Sequence, residues 1–476
     1  MSKMCGYNCG VMSFAILRPL QRVIDLYRDR EYFQQLLKIG LPITFQQFIF
    51  SLLNMVGVVM IGQKGETAMA AVGLANQVYF LYNLILFGIA SGAAMFTAQL
   101  WGKRDIPNLR KVLSLCLILS LAVALIFLGL VQLIPVQIMK LFSEDAQVIT
   151  LGSQYLRLFS GSFFFFAITF SYALVLRSIG DVKMPMAVSV SSLSLNVLLS
   201  FGLIFGKLGL PEMGVLGAAV ALLISRIVEC IALLALTYYK RSPVAAALRE
   251  LLQFDPHFVG KVLKPVLPVA LNELLWAAGI TAYSVVYARI GTEAIAAMNI
   301  VGAVDNLALT LFIGITNATA VLVGNRIGAG EDDEAFRYAA RSTGLSTILA
   351  LLVGGVILLT RNPVLTLYKV SPAVLQNAYS VLTILALLLF VRAQNMTLIV
   401  GAFRGGGDTR FALFLDGFII WMLGVPLAFL GGLVFHLPVH WVYLLAMSEE
   451  LTKYILSLPR FFSRKWIHDL AQAVSL

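Results

Sequence analysis

The chain has 476 residues, of which 59% are hydrophobic and only 12% are charged. Soluble domains carry roughly 25% charged residues, so this composition excludes a soluble globular protein. The formal net charge of +11 does not indicate a nucleic-acid partner, because membrane proteins concentrate Lys and Arg in the loops on one side.

The first 36 residues form a polar, basic arm ahead of the first long apolar stretch. Within it, residues 19–36 mix Leu20, Val23 and Ile24 with arginines and acids, which predicts an amphipathic helix lying on the inner membrane surface. The charges in this arm argue against a cleavable signal peptide. We therefore assign residues 1–36 to a cytoplasmic N-terminal arm.

Twelve apolar stretches follow, each long enough for the roughly 20 residues that a transmembrane helix needs. They lie near residues 37–61, 71–100, 111–139, 148–176, 184–206, 213–239, 262–288, 294–325, 338–360, 372–403, 411–434 and 438–459. The sequence thus predicts an all-α polytopic membrane protein with twelve transmembrane helices. Because the number is even, both chain ends lie on the same side of the membrane.

Basic residues in the short loops indicate which side that is. Counting along the predicted topology gives 26 Lys and Arg on the side of the chain ends and 6 on the other. Since the side richer in Lys and Arg faces the cytoplasm, both termini are predicted to be cytoplasmic in the plasma membrane. Residues 240–261 form the longest polar connection and divide the chain into two six-helix lobes, 37–239 and 262–460, followed by a cytoplasmic tail, 461–476.

The two halves repeat one another. Pro42, Gly65, Gly88 and Gly102 each recur 226 residues later, and the motif Arg177-Ser-Ile-Gly-Asp181 recurs 227 residues later as Arg404-Gly-Gly-Gly-Asp408. Parallel repeats of this kind relate the halves of transporters that rock around a shared central site. We therefore expect two pseudo-symmetric lobes with a cleft between them that opens alternately to either side.

Several of these segments resemble a known family, the multidrug and toxic compound extrusion transporters. The resemblance is carried by Gly40-Leu-Pro-Ile-Thr-Phe-Gln-Gln47, by Ala98-Gln-Leu-Trp-Gly-Lys-Arg-Asp105 and by the paired Arg-x-x-Gly-Asp loops. It implies a twelve-helix fold, outward export of amphipathic and often cationic compounds, and coupling to the inward flow of protons or sodium ions. More distantly, the chain is similar to flippases of lipid-linked sugars and cell-wall precursors.

Such a pump needs an ionisable group inside the membrane, because binding of a proton or cation there biases the two conformations. Glu273 in the seventh span and Asp305 in the eighth are the candidate coupling residues. Arg392 in the tenth span is a candidate counter-ion to one of these acids. A permanent ion pair would be structural, and an exchangeable one would be a switch.

The cleft is expected to hold an organic cation against aromatic and polar side chains. Trp276, Tyr283 and Tyr287 follow Glu273 at helical spacings, and aromatic faces attract cations. The repeat mate of Glu273 is Gln47, so the same position is charged in one half and neutral in the other. The predicted cleft set also contains four further residues, which are Asn54, Asn272, Asn299 and Arg392.

The resemblance also shows where the chain departs from relatives. Many members have an acid in the first span at the position of Gly57, and others have one in the tenth span at the position of Ala393. A third branch has its seventh-span acid near Trp276, one turn from Glu273. These departures direct the search for the coupling site to Glu273 and Asp305.

The remaining charged residues are predicted to have structural roles. Asp181 and Asp408 are predicted to cap helices and to staple loops by pairing with Lys183 or Arg410. Asp416 is placed too near the cytoplasmic boundary to be the main site. Local ion pairs at helical spacing are expected for two groups, Arg226 with Glu229, and Glu449 and Glu450 with Lys453.

Three other functions are less consistent with the sequence or remain as alternatives. A membrane enzyme is disfavoured because no nucleophile and base occur at a recognisable spacing, and no metal site or cofactor is expected. A lipid-linked flippase would line its cleft with arginines for pyrophosphate, whereas only Arg157, Arg226 and Arg392 lie within spans. A non-transporting receptor is the third alternative. The expected partners are a small organic substrate and membrane lipid, and the chain is expected to act as a monomer.

Overall fold

A computed structural model describes residues 29–247, 250 and 255–475 of the chain. Within these ranges the chain is helical, and its only β-structure is an isolated bridge. The twelve long helices are α1 Arg30–Gly62, α2 Glu66–Gly102, α3 Ile106–Leu133, α4 Ala146–Ser178, α5 Lys183–Phe205, α6 Val215–Tyr239, α7 Pro256–Ile290, α8 Thr292–Gly328, α9 Asp332–Leu365, α10 Pro372–Arg404, α11 Thr409–Val434 and α12 Val439–Phe462. The predicted all-α polytopic fold is thereby confirmed.

Eleven of these helices are long and apolar enough to cross a membrane. The exception is α12, which carries Glu449, Glu450 and Lys453 in its middle. Helices suit this environment because they satisfy every backbone polar group within one segment. Acidic or hydroxyl caps start several of them, and the side chains of Asp105 and Ser371 accept hydrogen bonds from the first turns of α3 and α10.

The helices extend beyond the predicted spans. Because α1 already begins at Arg30, the last part of the predicted surface helix is the start of the first transmembrane helix, and residues 19–28 lie outside the described residues. Likewise, α7 begins at Pro256, so the predicted linker is shorter than residues 240–261.

The first helix of each half packs against the second helix of the other half. A Cβ atom added to Gly88 of α2 would lie 2.6 Å from the Cα of Ala270 on α7, and one added to Gly314 of α8 would lie 2.6 Å from the carbonyl oxygen of Gly40 on α1. Gly88 and Gly314 are repeat mates. Close approach of helix backbones at small residues is the usual basis of helix packing in membranes, and here it interlocks the two lobes.

The two lobes meet at the end of the molecule where α2 and α8 finish, which we call the inner end after its predicted orientation. There a Cβ on Gly102 would lie 2.0 Å from the carbonyl oxygen of Asn325, and one on Gly328 would lie 1.8 Å from that of Gln99. Gln99 and Asn325 are themselves repeat mates. The inner end is therefore closed by direct backbone contact.

Ion pairs on the inner surface reinforce this closure. At the start of α1, Asp29 lies 2.7 Å from Arg341 of α9 and Glu31 lies 3.0 Å from Arg326 of α8. The hydroxyl of Tyr32 bonds that of Ser342 at 2.8 Å. The start of α1 thus belongs to the hydrophobic core of the C-terminal lobe, while the start of α7 is packed in the core of the N-terminal lobe.

The segment that follows α12 crosses from one lobe to the other. Its Trp466 is fully buried, stacks on Phe461 with ring centroids 5.9 Å apart, and packs on Gly406. Gln99 of α2 then donates to the carbonyl of His468 at 3.0 Å and accepts from the backbone N–H of Leu470 at 2.7 Å. A short helix, Leu470–Ser475, packs into the N-terminal core. We call residues 466–475 the tail strap.

Candidate functional site

The interior of the C-terminal lobe contains a connected set of charged side chains. Glu273 on α7 has 8% of its surface exposed, and its Oε1 lies 2.5 Å from Nη1 of Arg404, the last residue of α10. Arg404 is also buried, and its Nη2 lies 3.7 Å from Oδ2 of Asp416 on α11. The predicted coupling acid is therefore held by an arginine that also faces a second acid.

Asp416 connects this pair to α12. Its Oδ2 accepts a hydrogen bond from Asn272 at 3.0 Å, and its Oδ1 lies 3.2 Å from the ammonium of Lys453. Lys453 has 1% of its side chain exposed, and it also lies 3.6 Å from Glu449 and 3.7 Å from Glu450. A single buried ammonium is thus shared by three carboxylates.

The two acids of α12 have different surroundings. Asn395 on α10 donates to Oε2 of Glu450 at 2.6 Å. Glu449 has 2% of its surface exposed, and its Oε2 has no hydrogen-bond partner among the described residues. The Tyr283 hydroxyl of α7 lies beside it, because Gly424 of α11 leaves room there: an added Cβ would lie 1.9 Å from that hydroxyl and 2.8 Å from Oε2.

The second predicted acid, Asp305 on α8, also has an arginine partner. Its Oδ1 lies 2.5 Å from Nη1 of Arg392 on α10, with about a fifth of each side chain exposed. Sequence analysis proposed Arg392 as a counter-ion to one of the two acids, and in the structure its partner is Asp305. Both predicted acids therefore form ion pairs with arginines in this conformation.

The matching positions of the N-terminal lobe form a smaller polar set. Arg177, the repeat mate of Arg404, donates to Gln46 at 2.9 Å, and Gln46 is the mate of Asn272. On α6, Arg226 lies 2.6 Å from Glu229, the predicted local pair, and Glu229 accepts from the Ser189 hydroxyl at 2.8 Å.

The buried charged residues of the two lobes therefore have net charges of opposite sign. Among the described residues, the N-terminal set has two arginines and one acid. The matching region of the C-terminal lobe has five acids, Glu273, Asp305, Asp416, Glu449 and Glu450, and three bases, Arg392, Arg404 and Lys453. Uncompensated charge is costly to bury. The C-terminal lobe thus buries a net negative charge.

Irregular helix geometry coincides with this network. From Met396 to Arg404 the α10 helix is π-helical, and α11 is π-helical at Leu413–Phe418, a segment that contains Asp416. Such turns are rare and occur frequently at functional sites. Here they occur in the two helices that supply Arg404 and Asp416.

The structure divides the predicted cleft residues. Asn54, Trp276 and Asn299 have exposed side chains, and Gln47 is partly exposed. Three others lie inside the C-terminal lobe, with Asn272, Tyr283 and Tyr287 at most 6% exposed.

The predicted single aromatic face of α7 is therefore split. Gly424 admits the Tyr283 ring into the lobe interior, while Trp276 has 38% of its surface exposed. The two tyrosines lie inside the C-terminal lobe near the charged network, whereas Trp276 lies at the surface.

Of the two loop acids, Asp408 has a partner other than the one expected, while Asp181 makes a capping contact of the expected kind. Asp408 accepts a 2.7 Å hydrogen bond from Nε of Arg460 on α12 rather than pairing with Arg410. Asp181 accepts from the backbone N–H of Met184 at 3.5 Å, a capping contact at the start of α5. The Asp408 contact joins the start of α11 to the inner part of α12.

Sequence reasoning missed most of the network. Lys453, Glu449 and Glu450 were interpreted as local pairs of one helix, but the structure links them to α10 and α11. The available signal was the presence of three charged residues in the middle of a predicted span. Asp416 was placed near the boundary, yet it contacts Asn272, the neighbour of Glu273.

Comparison with known proteins decides the family. The MatE family model matches residues 42–201 and 268–430, more than half of the chain. The chain belongs to the MatE family. The two matches begin 226 residues apart, at Pro42 and Pro268, the same register as the internal repeat. The protein is therefore a multi-pass membrane transporter rather than an enzyme, and it needs no cofactor.

Individual relatives agree over nearly the whole length. The chain is 27% identical over 435 residues to the probable multidrug resistance protein NorM of Thermotoga maritima, covering 91% of this chain and 93% of the relative. It is 24% identical over 420 residues to the multidrug resistance protein PmpM of Pseudomonas aeruginosa, covering 87% and 86%. A crystal structure of MATE in the bent conformation aligns with a TM-score of 0.84 at 20% identity, covering 95% of this chain and 99% of that one.

Proposed function

We propose that this MatE-family member exports amphipathic, cationic organic compounds in exchange for protons or sodium ions by alternating access. The observation that carries the proposal is the excess of acids over bases inside the C-terminal lobe. A lobe that buries uncompensated negative charge gains stability when a cation enters. The same excess would make cation binding and conformation interdependent.

The closed inner end supports an outward-facing state. Backbone contacts at Gly102 and Gly328 and the tail strap close that end, while Met55, Val58 and Val59 in the outer half of α1 are 53–61% exposed. In the proposed plasma-membrane orientation, with both termini cytoplasmic, the cleft would release substrate outside and admit the coupling ion.

Glu273 and Asp305 are the proposed coupling acids. Each is held by one arginine, and a proton or sodium ion that neutralises either acid would compete with that arginine. Release of Arg404 would leave it closer to Asp416, which lies 3.7 Å away, and so alter the contact between α10 and α11. Protons are slightly favoured, because few oxygen ligands converge as sodium would require.

Exposed polar and aromatic side chains are the proposed substrate contacts. Trp276 offers a ring face, which attracts a cation by about 0.5–2 kcal/mol, and Asn54, Asn299 and Gln47 offer amide oxygens. The names of the relatives in Thermotoga and Pseudomonas, both multidrug resistance proteins, support drugs and toxins as the substrate class. We also propose that the transporter acts as a monomer.

A flippase for lipid-linked anionic precursors is less well supported. Its cleft would need free arginines for phosphate. Of the three arginines that the sequence places in spans, Arg226 and Arg392 are paired with Glu229 and Asp305. Only Arg157 is left, and it is exposed on α4.

Transport in proteoliposomes tests the proposal. Protein reconstituted with its inner end outward is given ethidium outside, and accumulation is measured under a proton gradient, a sodium gradient or neither. We expect gradient-driven accumulation in the parent and its loss in Glu273→Gln and Asp305→Asn. Glu293→Gln, which neutralises an exposed acid at the start of α8 outside the network, serves as the control and keeps ion coupling.

Two outcomes would count against the proposal. Accumulation that ignores both gradients would exclude secondary active transport. Full gradient-driven transport in both acid variants would exclude Glu273 and Asp305 as coupling residues.

A further inference from the structure

Glu449 differs from the other acids of the C-terminal lobe in having no arginine, lysine or amide donor at hydrogen-bonding distance among the described residues; the donor beside it is the Tyr283 hydroxyl. Each of the others receives at least one hydrogen bond at 3.2 Å or less, from Arg404 to Glu273, from Asn272 and Lys453 to Asp416, from Asn395 to Glu450, and from Arg392 to Asp305. The nearest cation to Glu449 is Lys453, at 3.6 Å from Oε1, beyond hydrogen-bonding distance.

Two buried oxygens face one another at this place, and neither has another partner among the described residues. They are Oε2 of Glu449 and the hydroxyl of Tyr283, which are 2% and 6% exposed by residue. Both lie within 3 Å of the space that the missing Cβ of Gly424 would fill, so they are neighbours. A carboxylate here has the Tyr283 hydroxyl beside it as a donor, whereas a neutral carboxyl group can in addition donate a hydrogen bond to that hydroxyl.

The surrounding charges disfavour an ionised Glu449. On its own helix it faces Glu450 and Lys453, from α11 it faces Asp416, and from α7 it faces Tyr283 and Tyr287. Lys453 is closer to Asp416, at 3.2 Å, than to Glu449. Arg404 also lies 3.7 Å from Asp416, and Arg392 acts on Glu450, but both arginines already pair with acids of their own, Glu273 and Asp305. Acids therefore still outnumber bases if all are ionised, and buried groups neutralise instead.

We propose that Glu449 is a proton-binding site of this transporter and holds a proton in the conformation described. The proton adds to Oε2, converting the carboxylate to a carboxyl group, while Tyr283 keeps its own hydroxyl proton. No other group loses a proton in this step. The proton comes from solvent and returns to it.

The position of Glu449 suits proton entry from the outer side. It lies four residues before Lys453 on α12, about 6 Å nearer the outer end at helical rise. When the proton leaves, the new carboxylate would draw Lys453 away from Asp416 and so loosen the contact between α11 and α12. This consequence rests on the proposed function, whereas the proton site itself does not.

Infrared spectroscopy of the purified protein tests the site without transport. At neutral pH we expect the carbonyl band of a protonated carboxyl group, shifted by exchange into D2O, in the parent and in Glu450→Gln. The band should be absent from Glu449→Gln and displaced in Tyr283→Phe. Persistence of the unchanged band in Glu449→Gln, or its absence from the parent, would overturn the proposal.

Thermal unfolding supplies a second measurement. Since glutamine resembles a protonated glutamate, Glu449→Gln should melt at the same temperature as the parent at neutral pH, and a strong loss would refute the neutral state. If the band assignment holds but no proton-driven transport is seen, the proposed function fails while the proton site stands. If transport is proton-driven but Glu449→Gln keeps the band, the site alone fails.

Discussion

Glu273→Gln is the most decisive perturbation of the C-terminal network. It removes the carboxylate charge opposite Arg404 but keeps the shape of the side chain. Both partners are buried, with 10% and 5% of their side chains exposed. Removing one member of a buried ion pair typically costs about 3–5 kcal/mol, because the remaining charge is left uncompensated.

Asp416 reduces that cost in this protein. It lies 3.7 Å from Arg404, so the arginine keeps one acidic neighbour, and we expect a loss near the lower limit, about 3 kcal/mol. The exposed Glu293→Gln at the start of α8 should change the free energy of unfolding by less than about 0.5 kcal/mol and serves as the control.

A double-mutant cycle gives the coupling energy between the two side chains. Unfolding of the purified protein in mixed micelles is followed by tryptophan fluorescence for the parent, Glu273→Gln, Arg404→Gln and the double variant. We expect the double variant to be clearly more stable than the two single losses predict. Strict additivity, or a Glu273→Gln variant as stable as the parent, would refute the view of a tightly coupled pair.

Three further predictions concern the inner end and the outer loops. Gly328→Ala should prevent closure of the inner end, because its methyl group would lie 1.8 Å from a carbonyl oxygen, and spin labels on the inner ends of α5 and α11 should report a longer distance. Gly73→Ala, with nothing within 4 Å of its Cβ, should instead stabilise by about 0.5–1 kcal/mol. Trp466→Ala should cost about 3–5 kcal/mol through the lost packing of a fully buried ring, and the same spin labels should show partial opening. Finally, Lys64 lies beside the exposed Glu212 and lowers the pKa of this acid in the folded protein. The ion pair should therefore stabilise the outer loops at pH values above the pKa of an unfolded glutamate, about 4.3. This stabilisation should disappear as the pH falls through the lower pKa that Glu212 has in the folded protein. Melting curves of the parent and Glu212→Gln should therefore differ slightly at neutral pH and converge in acid, and a difference that persists there would contradict the assignment.

The sequence predicted the helices well because long apolar stretches depend on local composition alone. All twelve predicted spans overlap observed helices. The internal repeat predicted the two lobes, and the structure adds that the repeated Gly102 and Gly328 lie where the lobes touch. Composition does not show the lateral order of the helices, that is, which helices are neighbours within each lobe.

That lateral order decides the candidate site. Glu273 and Asp305 could be identified as acids inside spans, but their partners come from other helices, and only for Asp305 was the partner, Arg392, among the candidates. Sequence analysis did not predict that Lys453 contacts three acids, because its contact with Asp416 depends on how α11 packs beside α12. The aromatic face of α7 was divided for the same reason, since Gly424 of a different helix accommodates Tyr283.

The exchange of first helices between the lobes also constrains how the protein is made. The glycine face of α2 around Gly88 and Gly92 receives α7 near Val266 and Ala270, which leaves the ribosome about 175 residues later. At 5–20 residues per second, that delay is roughly ten to thirty seconds. During this time the first half is in the membrane without α7, which packs against α2 in the complete protein. Neither lobe can therefore complete its packing before the second half has been inserted.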